Sequence, residues 1–343
     1  MEVLTLRKVL IVVVILMAIS FLAFIFSSLV GVADISLNEA LDIILKKLTS
    51  STTALSKPSD KEVILLEIRI PRIIFSFLVG ASLSIAGVLF QVILKNPLAE
   101  PYILGVSGGS AVGAVAAIIL GLSFGIYITA FSFVGAILSV IILLLISTAG
   151  GEMSASTLLL GGVIINAFFS AIVMFLVSTA SRGEIQSAVF WLMGDLSQAS
   201  YRNLKVIFPV IMLGTVISFS LSRKLNILAL GDEQAIQLGL NAKLYNRIVL
   251  VLASLLTATV VSMSGLIGFI GLIIPHIVRL CLGADHRILI PSAFFTGGIY
   301  LLLSDTLART LRAPSELPVG VITAIVGAPF FLYLLRKGRT EVL

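Results

Sequence analysis

The sequence predicts an all-α polytopic membrane protein of about ten transmembrane helices, and three observations carry that prediction. Of its 343 residues, 59% are hydrophobic and only 12% charged, against a charged share of roughly 25% in a soluble domain. Ten apolar stretches meet or approach the length of about 20 residues that a helix needs to cross the hydrocarbon core. Period-two alternation is absent from them, so helices that satisfy their own backbone are implied instead of strands.

The stretches fall at about 9–31, 70–93, 102–120, 125–148, 156–179, 204–222, 246–264, 268–283, 289–308 and 317–335. The first follows Arg7 and Lys8 and exceeds the roughly 7–15 residues of a signal h-region, so it reads as a retained span. The stretch at 268–283 is short and holds Pro275, His276 and Arg279. Residues 31–68 form an external loop containing an amphipathic helix. Ser36 and Glu39 make a capping box there, and Leu37, Leu41, Ile44, Leu45 and Leu48 share one face, which suits the outer membrane surface. The polar run at 50–60 that follows reads as a flexible connector. The longest cytoplasmic loop, 223–246, holds one short helix, 232–238, closed by Gly239. Residues 1–343 are thus one transmembrane domain. An even number of spans puts both termini on one side. Lys and Arg divide almost evenly between the two sides, because the first loop is itself rich in them; the remaining loops favour cytoplasmic termini.

Composition also excludes function classes. The net charge of +6 is spread over loops without a basic, aromatic-interleaved stripe, so nucleic acid is not a partner, and the basic excess suits a lipid surface. No GxxxxGK[ST] occurs, which removes Walker-type nucleotide binding from this chain. The two histidines, ten residues apart, and the single cysteine match no metal-ligand spacing. Cys281 lies in an apolar run and reads as a small buried hydrophobe. Gly105-Val106-Ser107-Gly108 has the outline of an intramembrane serine-protease motif, but neither His276 nor His286 stands in a pattern that supplies the base. No span carries a central Asp, Glu or Lys and no matching halves are visible, which weighs against a gradient-driven carrier.

Several polar groups admit two readings. Arg69 and Arg72 flank Pro71 at the outer end of the second span. They serve either as snorkelling anchors or as forks for carboxylates of an external partner. Asp305 precedes Arg309 by one helical turn, so the two can pair. Gly105, Gly109 and Gly113 recur every fourth residue, a spacing for close helix packing. Asn166 is the one strongly polar side chain of the fifth span, suited equally to an interhelical hydrogen bond and to pathway lining.

The run from Arg69 to Gly109, with its RIPR start and its Asn96-Pro97-Leu98-Ala99-Glu100-Pro101 turn, resembles the FecCD-type permease subunits of ABC importers for iron–siderophores, haem and cobalamin. So do the segments Leu228–Leu240, Met153–Leu160, Trp191–Gly194, Gly265–His276, Asp285–Arg287 and Glu316–Gly320. The resemblance covers about 65–335 and stands close to the cobalamin permeases. It implies a type II ABC importer permease fold with no catalytic residues and no cofactor on this chain. ATP and Mg would be held by two partner ATPase subunits. It further implies a homodimer in the inner (cytoplasmic) membrane, fed by an extracytoplasmic binding protein. That protein would dock through glutamates onto Arg69, Arg72 and Arg309. Coupling to the ATPase would run through Gly231, Asp232, Glu233, Ala235, Ile236, Leu238 and Gly239. Ser154, Ala155 and Ser156, before the fifth span, would form the cytoplasmic gate, with Asn166 on the pathway. The implied cargo is a metal chelate, an iron–siderophore complex first, with cobalamin or haem as alternatives.

Overall fold

A computed structural model describes residues 5–31, 33, 35–49, 59–122, 125–148 and 154–338. Among these, seven helices are long and apolar enough to cross a membrane: α1 (Leu6–Leu29), α4 (Ile70–Ile93, entered from α3 at Asp60–Val63), α6 (Gly125–Ser147 of a helix that ends at Thr148), α7 (Ala155–Thr179), α9 (Tyr201–Ser220), α12 (Ala242–Ser264) and α14 (His286–Thr310). Three shorter apolar stretches, α5 (Val106–Ile119), α13 (Ile270–Leu282) and Val319–Tyr333 of α15 (a helix that runs on to Gly338), occupy the remaining expected positions. All ten anticipated spans are therefore helical.

Helix α4 is the axis of the bundle. From Pro71 to Ile93 all but one of its side chains are buried, whereas α1 is exposed along most of its length. Glycines bring the neighbours close. A Cβ on Gly80 would meet the Gly297 carbonyl of α14 at 2.2 Å, and one on Gly87 the Gly271 carbonyl of α13 at 1.9 Å. In lipid, association rests on such contact packing, since no hydrophobic drive separates helix from tail. Ser82 adds a hydrogen bond to the Leu256 carbonyl of α12 at 3.2 Å. The glycine spacing of α5 works likewise: Gly109 and Gly113 lie against the carbonyls of Gly135 and Phe131 on α6.

The entry to α4 is a π-helical turn, Ile64–Arg69. Pro71 has no N–H, and its ring would strike the carbonyl four residues back. The wider turn, in which the Ile70 N–H reaches the Leu65 carbonyl, accommodates it without ending the helix.

Helices α5 and α13 are short because each begins inside the protein. The chain leaves α4, turns at 95–98, and re-enters as an extended piece and a 3-10 turn, Pro101–Leu104. After α12 it runs irregularly through 265–269 before α13. The two irregular segments satisfy each other. The Ile267 N–H donates to the Tyr102 hydroxyl and the Phe269 N–H to the Glu100 carboxylate. Irregular backbone at membrane depth is tolerated where protein buries it in this way.

Several features depart from the sequence reading. The second span's helix starts at Asp60, so the preceding loop is shorter than 31–68. Two helices were not foreseen: α8 (Arg182–Leu192), opened by a Ser181/Glu184 capping box, and α10 (Ser222–Leu228). The expected helix of the first loop is α2 (Leu37–Thr49). Its capping box forms, with the Ser36 N–H donating to Glu39 at 2.9 Å. Hydrogen bonds from Lys61 and Ser36 hold the Glu39 carboxyl down at about 2. This helix packs inward through Ala40 and Ile43 against Leu29, Leu65 and Ile70, leaving Leu37, Leu41, Ile44 and Leu45 exposed. The connector at 50–60 lies largely outside the described residues. Cys281 is exposed instead of buried, because it shares with Leu280 the side of α13 turned away from α4 and α14.

The close contact at Gly87 gives a direct test. Gly87→Ala forces a methyl into the backbone of α13, which neither helix can yield by a rotamer change. We expect a loss of about 1–3 kcal/mol of stability, read as an earlier thermal transition in detergent.

Candidate functional site

Two of the groups singled out in the sequence, the arginines and the 228–240 segment, lie at the two ends of α4, whose 24 residues rise about 36 Å. At the first end the three arginines converge, and the structure places all of them beneath the surface. Arg72 donates through Nε to both oxygens of Asp305 at 3.1 Å, and through Nη2 to Oδ1 at 2.9 Å. Its Nη1 donates to Glu316 at 2.7 Å. Arg309 brings its Nε to 3.2 Å from the second Asp305 oxygen and donates through Nη2 to Ser27 on α1 at 3.1 Å. Arg69 donates to the carbonyls of Ser28 and Ala33 at 2.9 and 2.6 Å, gathering the chain that leaves α1.

Asp305 is thus the hub. Its side chain is 1% exposed, those of Arg72 and Arg309 7%, and it joins α4 to α14. The pairing of Asp305 with Arg309 was legible in their spacing; that Arg72 is its principal partner was not, since α4 and α14 are 233 residues apart at this bond. Beside the hub lies a cavity of about 260 Å³, lined by Gly31, Ile64, Ile68, the three arginines and Glu316. Its wall of guanidiniums is chemistry for an anionic group, carboxylate above all.

The other end of α4 meets the segment 228–240. Gly231, at φ 118, opens α11 (Asp232–Gln237), and Gly239, at φ 79, follows its last turn. Both positions need the backbone freedom of glycine. The Leu240 N–H closes the motif on the Ala235 carbonyl at 2.9 Å. Ala235 is fully buried and seats the helix, while Leu230, Ile236 and Leu238 all stand more than 60% exposed. Asp232 and Glu233 occupy the first turn, where negative charge suits the helix dipole. Asp232 is tied on both sides: its Oδ2 lies 2.8 Å from Lys95 Nζ, just past the end of α4, and its Oδ1 accepts from Asn246 of α12 at 3.1 Å. Lys95 is a functional candidate that the sequence reading passed over. Its place directly before the NPLAEP turn is the signal that could have found it.

Ser154 caps α7, accepting from the Thr157 N–H at 3.1 Å, and its hydroxyl lies 3.1 Å from that of Ser156. Ser154 and Ala155 are half-buried and Ser156 is exposed. Asn166, further along the same helix, donates to the Tyr102 carbonyl at 2.6 Å and so holds the re-entrant 3-10 turn. The hydrogen-bonding reading of Asn166 therefore holds, and its amide ties α7 to the re-entrant turn. Glu100 is an acid inside the bundle that the span-by-span reading missed, because it lies between apolar stretches. The Ser107 hydroxyl is buried without a hydrogen-bond partner, so no base is aimed at it.

A model of the FecCD transport family matches residues 10–337. The cobalamin import system permease protein of Halobacterium salinarum is 43% identical over 286 residues, 83% of this chain and 77% of that protein. The hemin transport system permease protein of Yersinia pestis is 38% identical over 282 residues, 80% of this chain and 84% of that one. A solved chain described as a metal-chelate type ABC transporter, in an inward-facing conformation, superposes with a TM-score of 0.81 at 31% identity, covering 95% of this chain and 98% of its own.

Two substitutions test the ends of α4. Asp305→Asn leaves two guanidiniums buried without their shared carboxylate. The expected loss is about 3–5 kcal/mol, measured as a lower thermal transition of the purified protein. Lys95→Ala removes an exposed pair and should shift stability by less than about 1 kcal/mol. It should nonetheless speed amide hydrogen exchange across 231–238, read by mass spectrometry.

Proposed function

The chain belongs to the FecCD transport family, and from that premise we propose a division of labour for its two ends. It is the transmembrane permease subunit of an ATP-driven importer for substrates of the metal-chelate, cobalamin and haem class, and carries no ATPase of its own. In the proposed arrangement two copies form the pathway on a two-fold axis and both termini face the cytoplasm. Two ATPase subunits engage α11, and an extracytoplasmic binding protein docks over the arginine cavity. Substrate would pass between the α7 helices once the turn at Ser154–Ser156 opens, in an alternating-access cycle driven by closure of the ATPases.

The single observation that supports this reading best is the exposed triplet Leu230, Ile236 and Leu238 beside a firmly seated Ala235. A short helix anchored on one side and apolar on the other is shaped for a groove in another protein. We propose an iron–siderophore complex as the cargo. Cobalamin is the second reading, favoured by the 43% identity to the halobacterial cobalamin permease. The orientation of α2, with its leucines outward, supports a place for that helix at the outer membrane surface.

The deciding experiment is purification of the tagged chain from native membranes in mild detergent. Recovery with an equimolar Walker-motif ATPase supports the importer, and a chain that arrives alone and drives gradient-dependent uptake in liposomes overturns it. Cargo is then assigned by competing labelled ferric siderophore against cobalamin for the recovered binding protein. Ile236→Asp should leave thermal stability unchanged, because the side chain is 63% exposed, yet abolish ATPase recovery or substrate-dependent hydrolysis. Undiminished transport in this variant would place the coupling contact elsewhere.

A further inference from the structure

The two carboxylates on Arg72 differ in kind. Asp305 is sealed between α4 and α14, takes two of the guanidinium nitrogens and also neighbours Arg309. Glu316 reaches only Nη1, through one oxygen, and its side chain is 43% exposed. It belongs to the connection between α14 and α15, in which residues 311–316 are all exposed. Behind it the chain is fixed: the Leu317 N–H bonds the Ala308 carbonyl at 3.1 Å, and the Val319 N–H bonds the Gly194 carbonyl at 3.1 Å. Glu316 can therefore turn away from Arg72 without disturbing the helices, whereas Asp305 cannot.

Glu316 also lines the 260 Å³ cavity, which has room for several waters at about 30 Å³ each and hence for a carboxylate side chain. An acidic group entering that cavity would find Arg72 Nε and Nη2 already committed to Asp305. Nη1 is the remaining nitrogen of that guanidinium, and Glu316 sits on it.

We propose that Glu316 is an internal stand-in for the partner's carboxylate: it covers Arg72 Nη1 in the undocked permease, must give it up for docking, and so sets the affinity and specificity of the docking surface. The proposal rests on the docking reading above and adds to it a residue whose removal should tighten binding. A contact residue would do the opposite. If Glu316 instead organised the docking surface, its loss would weaken the complex. The cover is monodentate and its Glu316 side stands in solvent, so the gain on its removal is about threefold.

The test uses the permease–ATPase complex in nanodiscs, with Glu316→Gln beside Glu67→Gln. Glu67 is exposed on the neighbouring π turn, so its amide removes the same charge without uncovering Arg72. Two readouts are taken: the Kd of the recovered binding protein, and labelling of Arg72 by phenylglyoxal, quantified by mass spectrometry. The expected result is tighter docking and faster Arg72 labelling in Glu316→Gln but not in Glu67→Gln. Equal tightening in both variants would reduce the effect to general charge steering and overturn the proposal. Weaker docking in Glu316→Gln would overturn it too. Unchanged Arg72 labelling means Glu316 is not the cover, and the docking reading survives. Faster labelling with unchanged affinity means the docking surface lies elsewhere, and both readings fall.

Discussion

The bundle depends on the close approach of backbones along α4. Helices in lipid gain nothing from hiding apolar side chains from one another, so association must come from contact and from a few polar bonds. The glycines at 80 and 87 set both partners at once, α14 on one side and α13 on the other. Both the arginine cluster and the seat of α11 hang on that axis. Arg72 reaches Asp305 only because α4 and α14 lie this close, and Lys95 meets Asp232 only because α4 runs unbroken to the other end. The same rigid element therefore presents the cavity at one extreme and seats α11 at the other.

Charge is distributed to match. The buried ionic group sits at a helix end, where two guanidiniums share one sealed carboxylate; Arg309 also donates to the Ser27 hydroxyl of α1, and Arg69 bonds carbonyls of the chain that leaves α1. Paired in this way the arginines are structural as much as functional, since breaking a buried pair is far more damaging than never having built one. The contacts at the opposite end are looser: Lys95 and Asp232 are each more than a third exposed, and they position a helix instead of holding the fold together. The permease is thus stiff where the three arginines converge and more lightly tethered at α11.

The ten spans were legible because apolar length is a local property, and α11 was legible because Gly231 and Gly239 punctuate it. Local rules also found the Ser36/Glu39 box and the pairing of Asp305 with Arg309. What escaped was non-local. Nothing near Arg72 in sequence indicates that its carboxylate lies more than two hundred residues away, so a fork expected to face outward is engaged within. Glu100 reads as a loop residue until the chain is seen to turn back inward and cap α13. Helices α8 and α10 were missed because short amphipathic pieces between spans carry neither apolar length nor long periodicity. Cys281 was misjudged because apolar surroundings in sequence do not distinguish a helix's protein-facing side from its opposite one.

The contacts of α1 carry a consequence for biogenesis. Among the described helices this one is made before all the others, yet its polar anchor, Ser27, bonds Thr306 and Arg309 on α14, some 280 residues later. At the usual pace of synthesis that interval is on the order of tens of seconds. During it α1 must persist as an independent helix in the bilayer, which its nearly uninterrupted apolar sequence allows. Its serines bridge the wait by bonding back to their own helix, as Ser20 does to the Leu16 carbonyl and Ser28 to that of Ile25. The latch between α1 and α14 therefore closes late, and the arginine cavity, lined by residues from both regions of the chain, exists only once α14 has been made.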